Sequence, residues 1–120
     1  IENLKGIFSS QGKIAQTRVL REAEHGTNNT KEIKSKHNLV QSINGRKTIY
    51  CSPGHIVGFA NENLDQKELI DFLTSHQTKK DFSFSFSWRK GDIAIWANKS
   101  ILHAATAFNG DRKMFRITIQ

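Results

Sequence analysis

The chain has 120 residues, of which 37% are hydrophobic, so it can form one hydrophobic core and is too short for two independent domains. One proline, eight glycines and this aliphatic and aromatic content exclude a disordered or low-complexity chain. Eighteen lysines and arginines against eleven acidic residues give a formal charge of +7, which attracts nucleic acid, an anionic membrane or a small anionic substrate without choosing among them.

The sequence carries neither a disulfide framework nor a membrane segment. Cys51 is the single cysteine, and no zinc-finger spacing of cysteine and histidine occurs. No apolar run approaches the roughly 20 residues that cross a bilayer, and the first residues lack the order of a signal peptide. We therefore expect a cytoplasmic protein without a membrane partner. Because the chain starts at Ile1 rather than at methionine, we also expect processing or truncation.

The first half of the chain predicts short strands around a polar segment. Residues 1–12 hold an apolar patch and predict a strand or a buried turn, whereas residues 13–36 are polar and predict a partly helical, mobile surface excursion. The dipeptide Asn44-Gly45 lies between two apolar runs and predicts a β-hairpin, because it readily takes the positive φ angles of a type I′ turn. Residues 64–77 have apolar side chains near helical spacing and predict a helix, capped by Asn63 or Asp65.

After Lys80 the alternation of apolar and polar residues predicts strands only. Residues 82–88 alternate strictly, so the aromatic side chains share one face and the serines share the other. Further strands are predicted over 93–96, 101–105 and 113–119, each after a short turn. Four short strands joined by tight turns predict an antiparallel sandwich or barrel, as in a jelly roll. The predicted fold class is therefore mostly β with one or two helices.

The last predicted strand places two arginines on one face. A regular strand directs Arg112, Met114 and Arg116 to the same side, with the two arginines about 13 Å apart. From periodicity alone, the solvated face of an edge strand is the better interpretation, because arginine is mostly exposed. A histidine such as His103 is likewise more often a packed or surface residue than a metal ligand.

Three stretches of the sequence resemble one enzyme family. Residues 88–105 read WRKGDIAIWANKSILHAA, and residues 112–119 read RKMFRITI. Together they resemble the C-terminal signature of the taurine dioxygenase (TauD/TfdA) family, W-x-x-G-D-hydrophobic-x-hydrophobic-W-D-N-x-x-x-x-H-A followed by R-x-M-x-R-x-T. Upstream, His37-Asn38-Leu39-Val40 with Gly45-Arg46-Lys47 and Tyr50 is similar to the family's H-P-V-V-R-T-H-P-x-T-G-R-K-x-L-Y stretch. The resemblance covers residues 37–120 well and residues 3–8 weakly.

The resemblance implies a fold and a reaction. It implies the C-terminal part of a double-stranded β-helix (jelly roll) that holds Fe(II) by two histidines and one carboxylate, with 2-oxoglutarate and O2 as co-substrates. Such an enzyme hydroxylates a small organic acid, here a sulfonate or a carboxylate, and decarboxylates 2-oxoglutarate to succinate.

The resemblance also implies roles for four residues. His103 matches the distal iron-ligating histidine, and Arg112 matches the arginine that binds the far carboxylate of 2-oxoglutarate, a task suited to the fixed donors of a guanidinium. Arg116 matches the arginine that anchors the acidic group of the primary substrate. His55 falls where the family places a substrate-pocket side chain, although a surface histidine is the stronger interpretation there.

The chain departs from the family pattern at the metal site. Ala97 stands where the family has aspartate, and none of the five histidines is followed two residues later by Asp or Glu, the H-x-D/E motif of the other two ligands. We expect those ligands upstream of Ile1. Residues 1–120 are then the C-terminal fragment of a single dioxygenase domain, and the isolated chain is expected to be inactive.

Two alternatives stay open. In the first, residues 82, 84 and 86 and the flanking basic side chains form a base-stacking strand of a nucleic-acid-binding β-domain. Aromatics on one face of a sheet are more usually a sandwich core, so the prediction includes no nucleic-acid partner. In the second, the chain is a non-catalytic remnant of the dioxygenase fold. The sequence does not choose between sulfonate and carboxylate, and the oligomeric state, a homo-oligomer included, stays open.

Overall fold

A computed structural model describes residues 1–15, 31–61 and 63–119. Within these residues the regular structure is mostly β, with the α-helix Gln66–Gln77 and a short 3-10 helix that follows it. The elements in chain order are β1 (Lys5–Ser9), β2 (Lys34–Asn38), β3 (Val40–Ile43), β4 (Arg46–Ile49), β5 (Ile56–Phe59), α1 (Gln66–Gln77) and the 3-10 helix Lys80–Phe82. No helix in this part of the chain combines the length and apolar character needed to cross a membrane.

A three-stranded antiparallel sheet is built around β1. The strand order is β2-β1-β5, so the strand predicted within residues 1–12 is confirmed and lies at the centre. Phe8 faces the core from β1, and its register partner on β5 is Ile56. The register between β1 and β5 shifts between Ile7 and Phe8, which marks a bulge or irregularity.

The predicted surface excursion over 13–36 is wrong for its last residues. Lys34–Asn38 is an edge strand paired with β1, with Gly6 opposite His37. Every residue of β2 is exposed, so its polar sequence suited a loop as well as an edge strand. The decisive factor is the row of backbone partners that β1 offers, which the local sequence does not contain. The rest of the predicted excursion falls mainly on residues 16–30, outside the described residues.

The predicted hairpin and helix are confirmed. Strands β3 and β4 pair with Ile43 opposite Arg46, and the turn residues Asn44 and Gly45 have φ angles of 51° and 76°. Positive φ at both positions is the requirement of a type I′ turn. The helix begins after Asp65, whose carboxylate accepts a hydrogen bond from the backbone N–H of Glu68 at 2.8 Å.

One hydrophobic core joins the sheet, the hairpin and the helix. Leu39 and Leu73 are the most deeply buried side chains, at 0% and 1% exposure. Partly buried side chains from the hairpin, the helix and residue 4 pack around the core. The buried core residues are Phe8, Leu39, Cys51, Ile56, Phe59 and Leu73.

The four strands predicted after Lys80 are not formed. Residues 83–119 contain turns but no strand. The predicted turns are present: Asp92 N–H donates to the Arg89 carbonyl, and Gly91 and Gly110 have φ angles of 94° and 89°. Strands form only where a neighbouring backbone supplies hydrogen-bond partners, and no described strand lies beside this segment. The β-helix predicted for it does not close among the described residues.

The segment is therefore extended and exposed. All of its residues are exposed except Trp96 and Ser100, which are half-buried. The Cα radius of gyration is 16.2 Å, whereas a compact domain of this length has about 14 Å. The apolar positions of the predicted strands consequently face solvent, with Phe84 at 86% and Ile95 at 95% exposure.

Candidate functional site

His103 lies beside the indole of Trp96. The two ring centroids are 5.0 Å apart and the ring planes are inclined at 58°. The chain returns on itself between them, because the N–H groups of Ser100 and Ile101 both donate to the carbonyl of Ala97 at 3.0 Å. The sequence predicted the histidine but not its aromatic neighbour. The available signal was the turn pair Asn98-Lys99 between two short apolar runs, which brings their ends together.

Arg112 and Met114 lie on the same side of the chain, as their spacing predicts. The Arg112 guanidinium points to the Met114 sulfur, with Nε at 2.7 Å from Sδ. Its central carbon lies 5.2 Å from the centroid of the Phe108 ring, within the range of a cation–π contact. Both Arg112 and Arg116 are exposed, so their donors are available to an anion.

His55 lines a cleft of about 360 Å³ next to the central strand. Its Nδ1 lies 2.9 Å from the hydroxyl oxygen of Ser52, which holds the imidazole over the turn before β5. Ser9, which also lines the cleft, donates a hydrogen bond to Glu32 at 2.6 Å, and this bond lowers the pKa of the Glu32 carboxyl. The complete lining is Phe8, Ser9, Ser10, Ile33, Ser35, Tyr50, Ser52 and His55.

An aromatic cluster forms part of the wall of this cleft. The rings of Phe8, His37 and Tyr50 have centroids 5.1 to 5.7 Å apart. His37 Nε2 is also 3.0 Å from the Ser35 hydroxyl oxygen. The resemblance singled out His37 and Tyr50 as parts of one motif, and the fold brings their side chains together across β2 and the end of the hairpin.

The predicted site residues are not gathered in one cleft. The lining of the cleft contains His55 but not His103, Arg112 or Arg116, which all lie in the exposed segment. A second cleft of about 640 Å³ is lined by Asn3, Leu4, Lys5, Ala60, Asn61 and Asn63, and it also lacks them.

Iron does not fit the described residues on their own. Among them, no group of three His, Cys, Asp or Glu side chains can hold a metal ion. His103 contributes one imidazole, whereas a facial triad needs two histidines and a carboxylate.

Comparison with known proteins assigns the chain to a family. Residues 2–118 match the taurine catabolism dioxygenase TauD, TfdA family. The chain belongs to the TauD/TfdA family. The match includes His55, His103, Arg112 and Arg116, so the family resemblance of the C-terminal residues extends over nearly the whole chain.

Two curated relatives agree with this assignment. The chain is 32% identical to the pentalenolactone F synthase of Streptomyces arenae over 76 residues, which cover 60% of this chain and 25% of the relative. It is 31% identical to the alkylsulfatase of Acinetobacter baylyi over 87 residues, which cover 68% of this chain and 26% of the relative. The aligned part thus spans about a quarter of each TauD/TfdA relative. No solved structure matches the chain significantly.

Proposed function

We propose that this chain is the C-terminal part of one domain of an Fe(II)- and 2-oxoglutarate-dependent dioxygenase. The enzyme hydroxylates a small organic acid and decarboxylates 2-oxoglutarate to succinate. The observation that carries the proposal is the TauD/TfdA match over residues 2–118, which contains His103, Arg112 and Arg116 in the family's order. The jelly roll and a cytoplasmic location are parts of the same proposal.

In this proposal Arg112 binds the far carboxylate of 2-oxoglutarate. A guanidinium presents parallel N–H donors that match both oxygens of a carboxylate, and it keeps its charge at any physiological pH. Two donors of the exposed Arg112 guanidinium, Nε and one Nη, contact the Met114 sulfur, and its other N–H groups can meet such an anion. The neighbouring Phe108 ring supports the guanidinium from one side.

Arg116 anchors the acidic group of the primary substrate. In the strand that the sequence predicts for residues 113–119, Arg116 lies two alternations beyond Arg112 on the same side, which would place the two arginines about 13 Å apart. The formal charge of +7 favours anionic ligands in general. The name of the alkylsulfatase relative indicates a sulfated alkyl compound, which supports a sulfur oxyanion as the group that Arg116 binds.

His103 contributes one ligand to the iron. The described residues do not supply the other two, so we propose iron binding only for a protein in which other residues add them. His55 lines the hydroxyl-rich cleft and is proposed to contact the primary substrate. The proposed substrate contacts thus come both from the cleft, through His55, and from the exposed segment, through Arg116.

The test measures succinate formed from 2-oxoglutarate by the full protein with Fe(II), O2 and a panel of alkyl sulfonates, alkyl sulfates and carboxylates. We expect substrate-dependent succinate formation that is lost in the His103→Ala variant. His76→Ala is the matched control, because His76 packs between Phe72 and Phe82 on the helix side. Absence of succinate with every compound, together with no binding of 2-oxoglutarate in the presence of Fe(II), overturns the proposal in favour of a non-catalytic remnant.

A further inference from the structure

The stretch from Trp96 to His103 contains a hydrogen-bonded turn and a partly buried aromatic side chain. Between residues 83 and 119, only Trp96 and Ser100 are half-buried, although the chain there touches no part of the core. Neighbouring apolar residues such as Ile93 and Ile95 are 86% and 95% exposed. The partial burial of Trp96 therefore comes from contacts within the turn itself.

Three sets of contacts fix this turn. The Ala97 carbonyl accepts hydrogen bonds from the N–H groups of Ser100 and Ile101. The indole N–H of Trp96 donates to the side-chain oxygen of Asn98 at 2.9 Å. The indole and the His103 imidazole are tilted relative to each other with ring centroids 5.0 Å apart, a normal separation for an attractive pair of rings. Asn98 thus holds the indole, and the indole limits the orientations of the imidazole.

Ring orientation is what a histidine ligand needs to have fixed. The second side-chain torsion of histidine is broad, so an exposed imidazole turns among orientations that aim different nitrogens at the same point. Metal-binding histidines are normally held by a partner outside the ligand set, because the partner fixes both ring orientation and tautomer. In the described residues His103 has no hydrogen-bond partner of this kind, and its ring neighbour is Trp96.

We propose that Trp96 is a positioning residue for His103, with Asn98 holding the indole in place. Trp96 orients the imidazole before any metal is present. This inference rests on the proposed function, in which His103 is an iron ligand. The departure at Ala97 does not disturb the arrangement, because Ala97 contributes its backbone carbonyl rather than its side chain.

The other tryptophan provides a matched control. Trp88 forms an edge-to-face pair with Phe86 at 4.8 Å and lies in the same exposed segment. Substituting it removes an indole of similar surroundings without touching the turn at 96–103. A comparison of Trp88→Ala with Trp96→Ala therefore separates the specific contact from a general loss of apolar surface.

The experiment uses nuclear magnetic resonance of the metal-free full chain. We expect cross-relaxation between the ring protons of Trp96 and His103, and imidazole nitrogen shifts that differ from those of a free histidine. Asn98→Ala should weaken the cross-relaxation and return the nitrogen shifts of His103 towards free values. Asn98→Asp keeps an acceptor for the indole N–H and should rescue both signals, which a general structural role does not explain.

Folding of each variant is checked by the dispersed amide signal of Leu39, which is fully buried in a core that excludes residues 96–103. Unchanged His103 signals in Trp96→Ala or Asn98→Ala overturn the proposal, as does an equal effect of Trp88→Ala. The result does not depend on turnover. If the ring contact is present but no dioxygenase activity is found, the proposed function fails while the positioning contact stands.

Discussion

The side chain of Gln66 joins strand β5 to helix α1 by hydrogen bonds at both ends of its amide. Its oxygen accepts a hydrogen bond from the backbone N–H of Phe59 at 2.6 Å. Its nitrogen donates to the carbonyl of Asn61 at 2.7 Å and to that of Leu64 at 3.2 Å. One residue of the first helical turn thus closes the loop that connects the sheet to the helix.

Replacing Gln66 should destabilise the sheet and helix unit. In Gln66→Ala the Phe59 N–H loses its acceptor next to a buried ring, and an unsatisfied group of this kind costs about 1–3 kcal/mol. Gln66→Glu keeps the acceptor for the Phe59 N–H but loses the two donated hydrogen bonds. Its free energy of unfolding should therefore lie between that of the native chain and that of Gln66→Ala. Urea unfolding measures the order, with Lys67→Ala as the control because Lys67 makes only an exposed ion pair with Asp71. Equal stability of Gln66→Ala and Lys67→Ala would contradict the assigned role.

The hairpin turn offers a test of backbone strain without packing effects. Gly45 has a φ of 76°, and a Cβ added there meets no atom within 4 Å. Gly45→Ala therefore adds only the cost of a left-handed conformation, about 1–2 kcal/mol for a residue with a Cβ. Asn44→Gly, at a φ of 51°, should be tolerated because glycine takes this angle without strain. The midpoint of urea unfolding measures the stability of both variants. If Asn44→Gly lowers the midpoint and Gly45→Ala leaves it unchanged, the assignment of the strained position to Gly45 is wrong.

The elements that were predictable are those whose signals are local. Asn44-Gly45 and the Asp65 cap specify a turn and a helix start through their own backbone preferences and side-chain hydrogen bonds. The edge strand Lys34–Asn38 and the short strand Ile56–Phe59 depend on β1, which lies more than twenty residues away in sequence. The alternation of aromatic residues and serines over residues 82–88 indicates which side chains a strand would bury. It does not supply the hydrogen-bond partners from a neighbouring backbone that a strand requires.

The site follows the same division. His103, Arg112 and Arg116 were predicted as site residues because their order matches the TauD/TfdA signature. The placement of Arg112 and Met114 on the same side of the chain was predicted from their spacing alone. The contact between Trp96 and His103 was not predicted, because a seven-residue separation implies contact only if the turn between them folds back. The cleft around His55 was equally hidden, since it combines residues from β1, β2 and the turn at 52–55.

The buried Cys51 thiol should react slowly in the folded chain. Its contribution to the free energy of unfolding should depend on pH. Burial raises the pKa of Cys51 from 9.0 to about 11. The thiol of the unfolded chain ionises at lower pH than the buried thiol. The contribution of the buried thiol to folding stability is therefore fully present below pH 9.0 and is lost as the pH rises towards about 11. We expect slow alkylation of Cys51 in the folded chain below pH 9.0 and fast alkylation in the chain unfolded by urea.

The matched control for this thiol is Cys51→Ala, which removes the ionisation. Above pH 9.0 the unfolding free energy of the native chain should fall relative to that of Cys51→Ala. A difference that is constant across this range, or alkylation that is equally fast in the folded state, would show that the thiol is accessible to water.

The two arginines should act on different ligands. In the full protein, Arg112→Ala should mainly raise the KM for 2-oxoglutarate, and Arg116→Ala should mainly raise the KM for the organic acid. Each lost charge-assisted hydrogen bond contributes about 1.5–3 kcal/mol, or roughly a tenfold to hundredfold change. Arg89→Ala is the control, because Arg89 forms its turn with Asp92 through backbone atoms. Equal changes in both KM values for either variant would break the assignment of separate sites.

The exposed segment should make the isolated chain self-associate. Apolar side chains of the predicted strands face solvent there, with Ile95, Ile117 and Ile119 at 95%, 88% and 91% exposure. Extended backbone with unpaired N–H and carbonyl groups is also a template for pairing with another chain. The average mass measured by light scattering of the 120-residue chain should therefore rise with protein concentration, and a cooperative melt of a monomeric chain would contradict this expectation.

Charged variants separate the apolar surface from the backbone edges as the cause. Ile95→Lys and Ile117→Lys each add one charge at a fully exposed apolar position and leave the backbone unchanged, so reduced scattering would assign the association to the side chains. Ile33→Lys adds the same charge outside the segment, at a position that is 63% exposed, and controls for net repulsion. If all three variants reduce scattering equally, net charge is responsible and the segment has no special role. Unchanged scattering in all three assigns the association to the unpaired backbone of residues 83–119.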